Sequence, residues 1–456
     1  MTARRKNGFS RRDILRFAVT GSGLLITAAC VPPPAGQPSA DAPAASAPPA
    51  EKAQMSVATH HSAVHDYQRE FARRWAEAHA DTVDLQIETV NYGEMSKLQL
   101  ARYASGTLWD LIFSGIKWFP FSASKGMFLP LDDRLSARDD ANLDDFFTTA
   151  LEGGKLDGVL YGLAFIIHPG NPAVVGVNLD LLDAAGLEPP TDDWKVDEFA
   201  AMASALSDPD NNIFGTDYLP GSYYDFESLA RAYGTDMMDP ERKEFRFGTD
   251  EKNIEAARWL TSLRTELGAA PSRSNAGIEG LDFVSGTVGL GVMGTYGVSG
   301  AITQIGDGFR QDYVLFPLGP EGIRGYTAFH SNFSCAADTK YPDLAVDLLL
   351  YLTSTEAGLW ASLEQGTGQP NGRKSVWSNP EVLAKSHPVI ERALNKLFLA
   401  EDVQGPFPMP YNLRFDELQD NWANTSPDIF FGDLEFAEGI QIVQDSCQEI
   451  MDQPRA

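Results

Sequence analysis

Apolar positions alternate or recur at helical spacing along most of the chain, and the two periods interleave from residue 55 onward. Residues 55–59 read as a buried strand. Val64, Tyr67, Phe71 and Trp75 then fall on one face of a helix. Val83, Leu85, Ile87 and Thr89 alternate as a second strand, a helix is expected over 94–104, and 108–113 is a short buried strand. Strand, helix, strand, helix, strand predicts an α/β fold with a mainly parallel sheet. Ligands of such sheets sit beyond the carboxyl ends of the strands. The tips to watch are therefore His60-His61-Ser62, Asn91-Tyr92 and the run from Ser114 to Trp118. Further helices are expected at 194–206, 226–233, 253–267 and 343–352. Pro342 stands at a tolerated first-turn position, and Thr353 with Glu356 has capping-box spacing.

Two stretches break this pattern. Ser10-Arg11-Arg12 opens a positively charged head, followed by an uncharged run over 17–29 and then Cys30. The apolar part is too short to span a bilayer, so residues 1–30 read as an export signal of twin-arginine type. Thr27-Ala28-Ala29-Cys30 resembles a lipobox, with threonine where leucine is usual, and makes Cys30 the expected site of lipid attachment. Residues 31–50 are rich in Pro, Ala and Ser. They cannot bury enough surface to offset their ordering entropy and read as a tether.

Charge then narrows the function. The chain carries −27, and a net +5 in residues 1–29 leaves −32 for the rest. So acidic a surface repels phosphate backbones and anionic headgroups. Nucleic acid is excluded as a partner, and membrane contact falls to the lipid anchor. The roughly 400 remaining residues exceed what one core usually holds, so two lobes are expected. Beyond Cys30 only Cys335 and Cys447 occur. Cys447 lies on the stripe Phe436, Ile440, Val443, Cys447, Ile450 and reads as a small buried hydrophobe rather than half of a disulfide. No phosphate-cradling glycine motif is present, and no cofactor is implied. His60, His61 and His65 form an HHxxxH run, but only two of them share a helix face and no carboxylate is placed as a third ligand, so a metal site is not expected.

The order of local motifs resembles the extracellular solute-binding proteins of ABC importers, family 1, carbohydrate type. The segment 109–113 is similar to that family's "PDVV" strand, 126–132 to "GLLLPLDD", 160–165 to "LYGLPF", and 177–187 to "YNKDLFKEAGL". Residues 194–199 resemble "TWDEF", 283–296 "FxxGKAAMxxxGxW", 345–357 "AAWEFLKFLTSPEA", and 366–373 the "GGxPxxxS" loop. Thr287 replaces the usual lysine, and His60-His61 stands where tryptophan is common. The resemblance implies two α/β lobes joined by crossing hinge strands, 51–165 with 333–375 and 166–332 with 376–456. It also implies ligand capture by hinge closure, a membrane permease as partner, and no catalysis.

Sugars present flat C–H faces ringed by hydroxyls, so their sites need aromatic platforms and fixed polar groups. Trp118 and Phe119, beside Lys117, are candidate platforms after a strand. Tyr223, Tyr224 and Asp225 precede a helix, with Asp225 also readable as its cap. Tyr296 occupies the family's tryptophan position. His60, His61 and His168, with His330, Asn332, Gln369 and Asn371 in the hinge segments and Tyr411 beyond them, complete the candidate set. Arg373 and Arg414, like Lys117, read as solvated charge unless the ligand is an anion. A polyol or polyamine is the alternative solute. A glycan hydrolase would need a pair of carboxylates across a cleft. A surface adhesin would show no closing motion.

Overall fold

A computed structural model describes residues 51–62, 65–275, 277–364, 371–395 and 412–453. Cys30, the leader, the tether, Val64, Gln369 and Tyr411 lie outside the described residues.

The first three strands alternate with helices as the sequence pattern predicts. Strand β1 (Ala53–His60) pairs in parallel with β2 (Val83–Val90) and β3 (Leu111–Gly115). The helix Asp66–Ala78 connects β1 to β2 and buries Tyr67, Phe71 and Trp75 on one face. The helix Tyr92–Ser105 starts where the Asn91 side chain accepts from the Gly93 N–H at 2.8 Å, and ends on left-handed Gly106. A two-stranded ribbon, β4 (Lys155–Leu156) with β5 (Val159–Leu160), precedes β6 (Leu163–Pro169). A second sheet then forms from β7 (Val174–Asn178), β8 (Phe214–Thr216), β9 (Val288–Met293) and β10 (Gln311–Leu315). Finally β11 (Ala328–Cys335) returns to the first sheet.

The sheet orders are β2-β1-β3-β11-β6 and β10-β7-β9-β8. Both sheets are mixed rather than parallel throughout. The antiparallel partners arise where the chain crosses: β6 leaves the first sheet and β11 comes back, so the two run in opposite directions side by side. In the second sheet β7 is antiparallel to both β9 and β10, and β8 is parallel to β9.

Alternation along the second sheet divides the core. Val174, Tyr313 and Leu315 join the apolar cluster that fills the first sheet's surroundings. Val175, Val177 and Val314 join a second cluster with the helices Val196–Leu206, Tyr223–Ala232, Glu251–Thr265, Phe415–Phe430 and Phe436–Asp452. Cys335 is buried in the first cluster and Cys447 in the second, both as free thiols.

Two local expectations shift. The helix after Pro342–Leu352 is capped by Ser354, whose hydroxyl accepts from the Ala357 N–H at 3.1 Å, one residue beyond the expected Thr353. Thr353 instead donates its hydroxyl to the Leu349 carbonyl at 2.9 Å. Likewise Ser222, not Asp225, caps Tyr223–Ala232: its hydroxyl accepts from the Asp225 N–H at 3.2 Å. The Asp225 carboxylate is not the cap and instead meets the Ser222 hydroxyl. Among the described residues, no helix is long and apolar enough to cross a membrane.

Candidate functional site

The carboxyl end of β1, the loop after β3, and the strands that cross between the sheets meet around a cavity of about 320 Å³. His60 ends β1 and Lys117 follows β3. Ile166 and His168 come from β6, Phe329 and Ser331 from β11, and Gly170 with Asn171 from the β6–β7 crossing. Three helices begin at its wall. Tyr92 opens the first, Tyr224 and Asp225 lie in the first turn of the second, and Tyr296 in the first turn of Thr295–Ile305.

The histidines on this wall are neutral. Burial lowers His60 to about 4, helped by the positive charge of its neighbours His61 and Arg69. His60 Nδ1 accepts from the Ser62 N–H at 3.0 Å, which leaves the ring proton on Nε2. His65 lies edge-on to His60, with ring centres 4.4 Å apart, and burial takes it down to about 3. Burial likewise lowers His168 to about 4. Its Nδ1 lies 3.1 Å from the Pro169 carbonyl, which can only accept, so Nε2 remains an acceptor. The ring of His168 stacks on Phe329 and meets Tyr296, each at 4.9 Å. The wall thus offers both a ring donor and a ring acceptor, without charge, between aromatic faces.

Asp225 is pushed up to about 7, because its burial outweighs the Ser222 hydroxyl and the positive charge of Lys117. One buried polar atom at the wall, Asn171 Oδ1, has no hydrogen-bond partner among the described residues, and the buried Tyr92 hydroxyl lies beside Ser331. A ligand hydroxyl would satisfy Asn171. Gly115 explains part of this geometry. A Cβ there would come within 2.4 Å of the Tyr92 hydroxyl and 2.6 Å of the Trp118 ring, so only glycine lets both side chains lie over the end of β3.

Of the residues singled out from sequence, His60, Lys117, His168, Tyr224, Asp225 and Tyr296 line the cavity. His61 stands beside it, exposed, stacked on His60 at 5.0 Å, with its Nδ1 accepting from the Tyr92 N–H at 3.3 Å. Trp118 does not reach it. The indole is buried against Tyr92, 4.9 Å between ring centres, and lines a separate recess of about 160 Å³. Phe119 is a core residue stacked on Phe128 at 5.6 Å, because the helix Phe119–Ser124 turns it inward. Tyr223 is buried against Phe415 at 5.1 Å. His330 Nε2 and Asn332 Nδ2 both donate to the Gly153 carbonyl at 2.9 Å, on the face of β11 turned away from the cavity. Asn371 donates to the Ser354 carbonyl at 2.7 Å and Arg373 to the Thr353 carbonyl at 2.7 Å, so both tie a loop to a helix end. Arg414 pairs with Glu417 at 2.8 Å. Sequence reasoning left out Phe165, Ile166, Asn171, Thr327, Phe329 and Ser331, and weighed His65 only as a metal ligand. Among the described residues, no three metal-binding side chains stand together.

The sequence profile of bacterial extracellular solute-binding proteins matches residues 61–359. The chain belongs to that family. Solved structures share the fold at low identity. An ABC substrate-binding protein from Listeria monocytogenes in complex with cycloalternan is 19% identical, with a TM-score of 0.73 over 88% of this chain and 99% of that one. The GacH receptor of Streptomyces glaucescens, solved unliganded and with acarbose, is 18% identical, with a TM-score of 0.70 over 88% and 99%. A solute-binding protein from Agrobacterium radiobacter in complex with ribitol is 20% identical, with a TM-score of 0.66 over 88% and 100%. No curated protein matches the chain.

One test isolates the neutral histidines. Unfolded histidines take up protons below about pH 6.5, whereas His65 in the fold resists until about 3. Between those values the unfolded chain binds the extra proton, so this site's contribution to stability falls as pH falls. His65→Phe removes that loss. Relative to the wild type, the variant should gain about 2–3 kcal/mol on going from about pH 7.5 to about pH 4.5. Paired thermal melts at the two pH values measure it, and a pH-independent difference would show that His65 takes up its proton in the fold as readily as in the unfolded chain.

Proposed function

We propose that this protein captures an uncharged, hydroxyl-rich solute, a sugar or a polyol, in the cavity between its two sheets and delivers it to the permease of an ABC importer. One observation carries the reading. The cavity combines exposed and half-buried aromatic faces (Tyr296, Tyr224, Phe329) with neutral histidines and the unpaired Asn171 oxygen. Flat apolar faces plus a few fixed donors and acceptors are what a sugar ring requires. The named ligands of the structural relatives, cycloalternan, acarbose and ribitol, are all rich in hydroxyls. A volume of about 320 Å³ stands at the small end of ligand pockets, roughly 300–1,000 Å³, which favours a compact ligand over a long chain.

Binding is favoured over hydrolysis because Asp225 is the one carboxylate among the described residues lining the cavity, and glycoside hydrolysis uses a pair. In this reading one lobe is built on the first sheet and the other on the second, with β6–β7 and β10–β11 as two crossings. The helices Pro380–Lys385 and Pro388–Leu394 would carry a third. The former packs on the helix Thr355–Leu363 and the latter on β10, which supports a third crossing in this stretch of the chain. Export through the twin-arginine leader and anchoring through Cys30 would hold the domain near its permease at the membrane's outer face.

The test is a thermal-shift panel of mono- and oligosaccharides, polyols and polyamines, followed by small-angle scattering with the best ligand. A raised melting temperature, a more compact particle and chemically unchanged ligand are expected. Release of a cleaved product would replace this reading with an enzyme. A shift without compaction would remove hinge closure.

A further inference from the structure

Lys117 and Tyr224 reach each other across the cavity from the two sheets' sides. Lys117 follows β3, while Tyr224 and Asp225 open the helix Tyr223–Ala232 packed in the second core. The Lys117 Nζ lies 5.7 Å from the centre of the Tyr224 ring. Asp225 lines the main cavity, Asp416 lines the recess that holds Trp118, and Lys117 is the residue common to both walls. Both carboxylates feel its charge: burial raises each, and Lys117 acts to lower both, together with the Ser222 hydroxyl at Asp225. Lys117 has no ion-pair partner within 4.0 Å among the described residues, so it lies among these groups without being locked to one.

An ammonium over an aromatic face with carboxylates alongside is how proteins hold organic cations. Here the cation is the protein's own. We propose that Lys117 sets the charge selectivity of the site: by occupying the box made by Tyr224, Asp225 and Asp416, it excludes amine-bearing ligands and reserves the cavity for neutral ones. A ligand ammonium would have to enter beside a like charge in a partly buried space, and such juxtaposition is strongly unfavourable. A hydroxyl meets no such barrier. The inference rests on the sugar or polyol reading and adds what decides between that class and polyamines.

The test uses D-glucitol, its amine-bearing counterpart 1-amino-1-deoxy-D-glucitol, and putrescine. Titration at about pH 8 keeps alkylammonium groups charged and Asp225 largely ionised. In the wild type the amines should bind at least tenfold more weakly than the neutral polyol, or not at all. Lys117→Met should strengthen amine binding at least tenfold, and adding Asp225→Asn should cancel that gain. Lys117→Gln, a polar replacement, should behave as Lys117→Met does. Unchanged amine affinity in both single variants, with melting temperatures like the wild type's, would overturn the inference, as would a wild type that binds amine and polyol equally. Putrescine decides the matter even if glucitol binds nowhere, and failure of every neutral solute would count against the sugar or polyol reading instead.

Discussion

Tyr296→Ala should weaken ligand binding by roughly 30- to 100-fold while leaving the unliganded melting temperature unchanged. Tyr296 is 45% exposed although it lines the cavity, so folding itself gains little from its ring. Its main contact is with His168 at 4.9 Å, and it lies over Gly294, where a Cβ would come within 2.4 Å of the ring. An aromatic held in place yet left in water has its largest burial still to gain when a ligand covers it. Central aromatic anchors of this kind account for about 2 kcal/mol or more of binding, and 1.4 kcal/mol is tenfold in affinity. Tyr296→Phe keeps the face and loses only the hydroxyl, so it should stay within about tenfold of the wild type. Isothermal titration with a ligand found by the panel measures both. Equal binding by Tyr296→Ala would mean the solute sits elsewhere.

How much of this site could be read from sequence depends on what the period of each element reveals. The strand tips were legible because the carboxyl ends of β1 and β3 face the ligand in any such sheet. That rule alone points to His60 and Lys117. Helix starts were legible in position but not in rotation. Tyr223 and Tyr224 are adjacent, about 100° apart around the helix, so they cannot face the same way. Ser222 as the cap sets that rotation, sending Tyr223 into the second core and Tyr224 to the cavity.

On β11 the two-residue period puts His330 and Asn332 on one face and Phe329 and Ser331 on the other. Both faces are largely buried, so hydropathy does not tell which one meets the cavity; the side chains that bond Gly153 are the ones turned away. Trp118 and Phe119 lie off the cavity for a similar reason. An aromatic pair after a strand suits a platform, but Pro120 starts a short helix there, and its turn carries Phe119 into the core. The unpaired Asn171 carries no sequence signal at all, since its role comes only from where the crossing passes.

Trp422→Ala should produce the largest loss of stability, about 3–5 kcal/mol, and the loss should fall on one half of the molecule. Trp422 is fully buried on the helix Phe415–Phe430 and packs against Phe247 at 5.0 Å, Phe226 at 5.4 Å and Phe430 at 6.0 Å. Phe226 lies on the helix whose first turn supplies Tyr224 and Asp225 to the cavity, so this aromatic cluster links the chain's C-terminal part to the site. If the second sheet and these helices form a lobe, its melting transition should move to lower temperature in calorimetry while a transition belonging to the first sheet stays near its original position. Ligand affinity, measured well below that transition, should change little, because the rings Trp422 packs against, Phe226, Phe247 and Phe430, do not line the cavity. Trp422→Phe should cost much less: it retains most of the packing and removes an indole N–H that has no partner among the described residues. A single transition displaced as a whole would mean that the two cores, which share the second sheet between them, unfold as one unit. Hinge closure would then have to proceed with little independent loosening of either half.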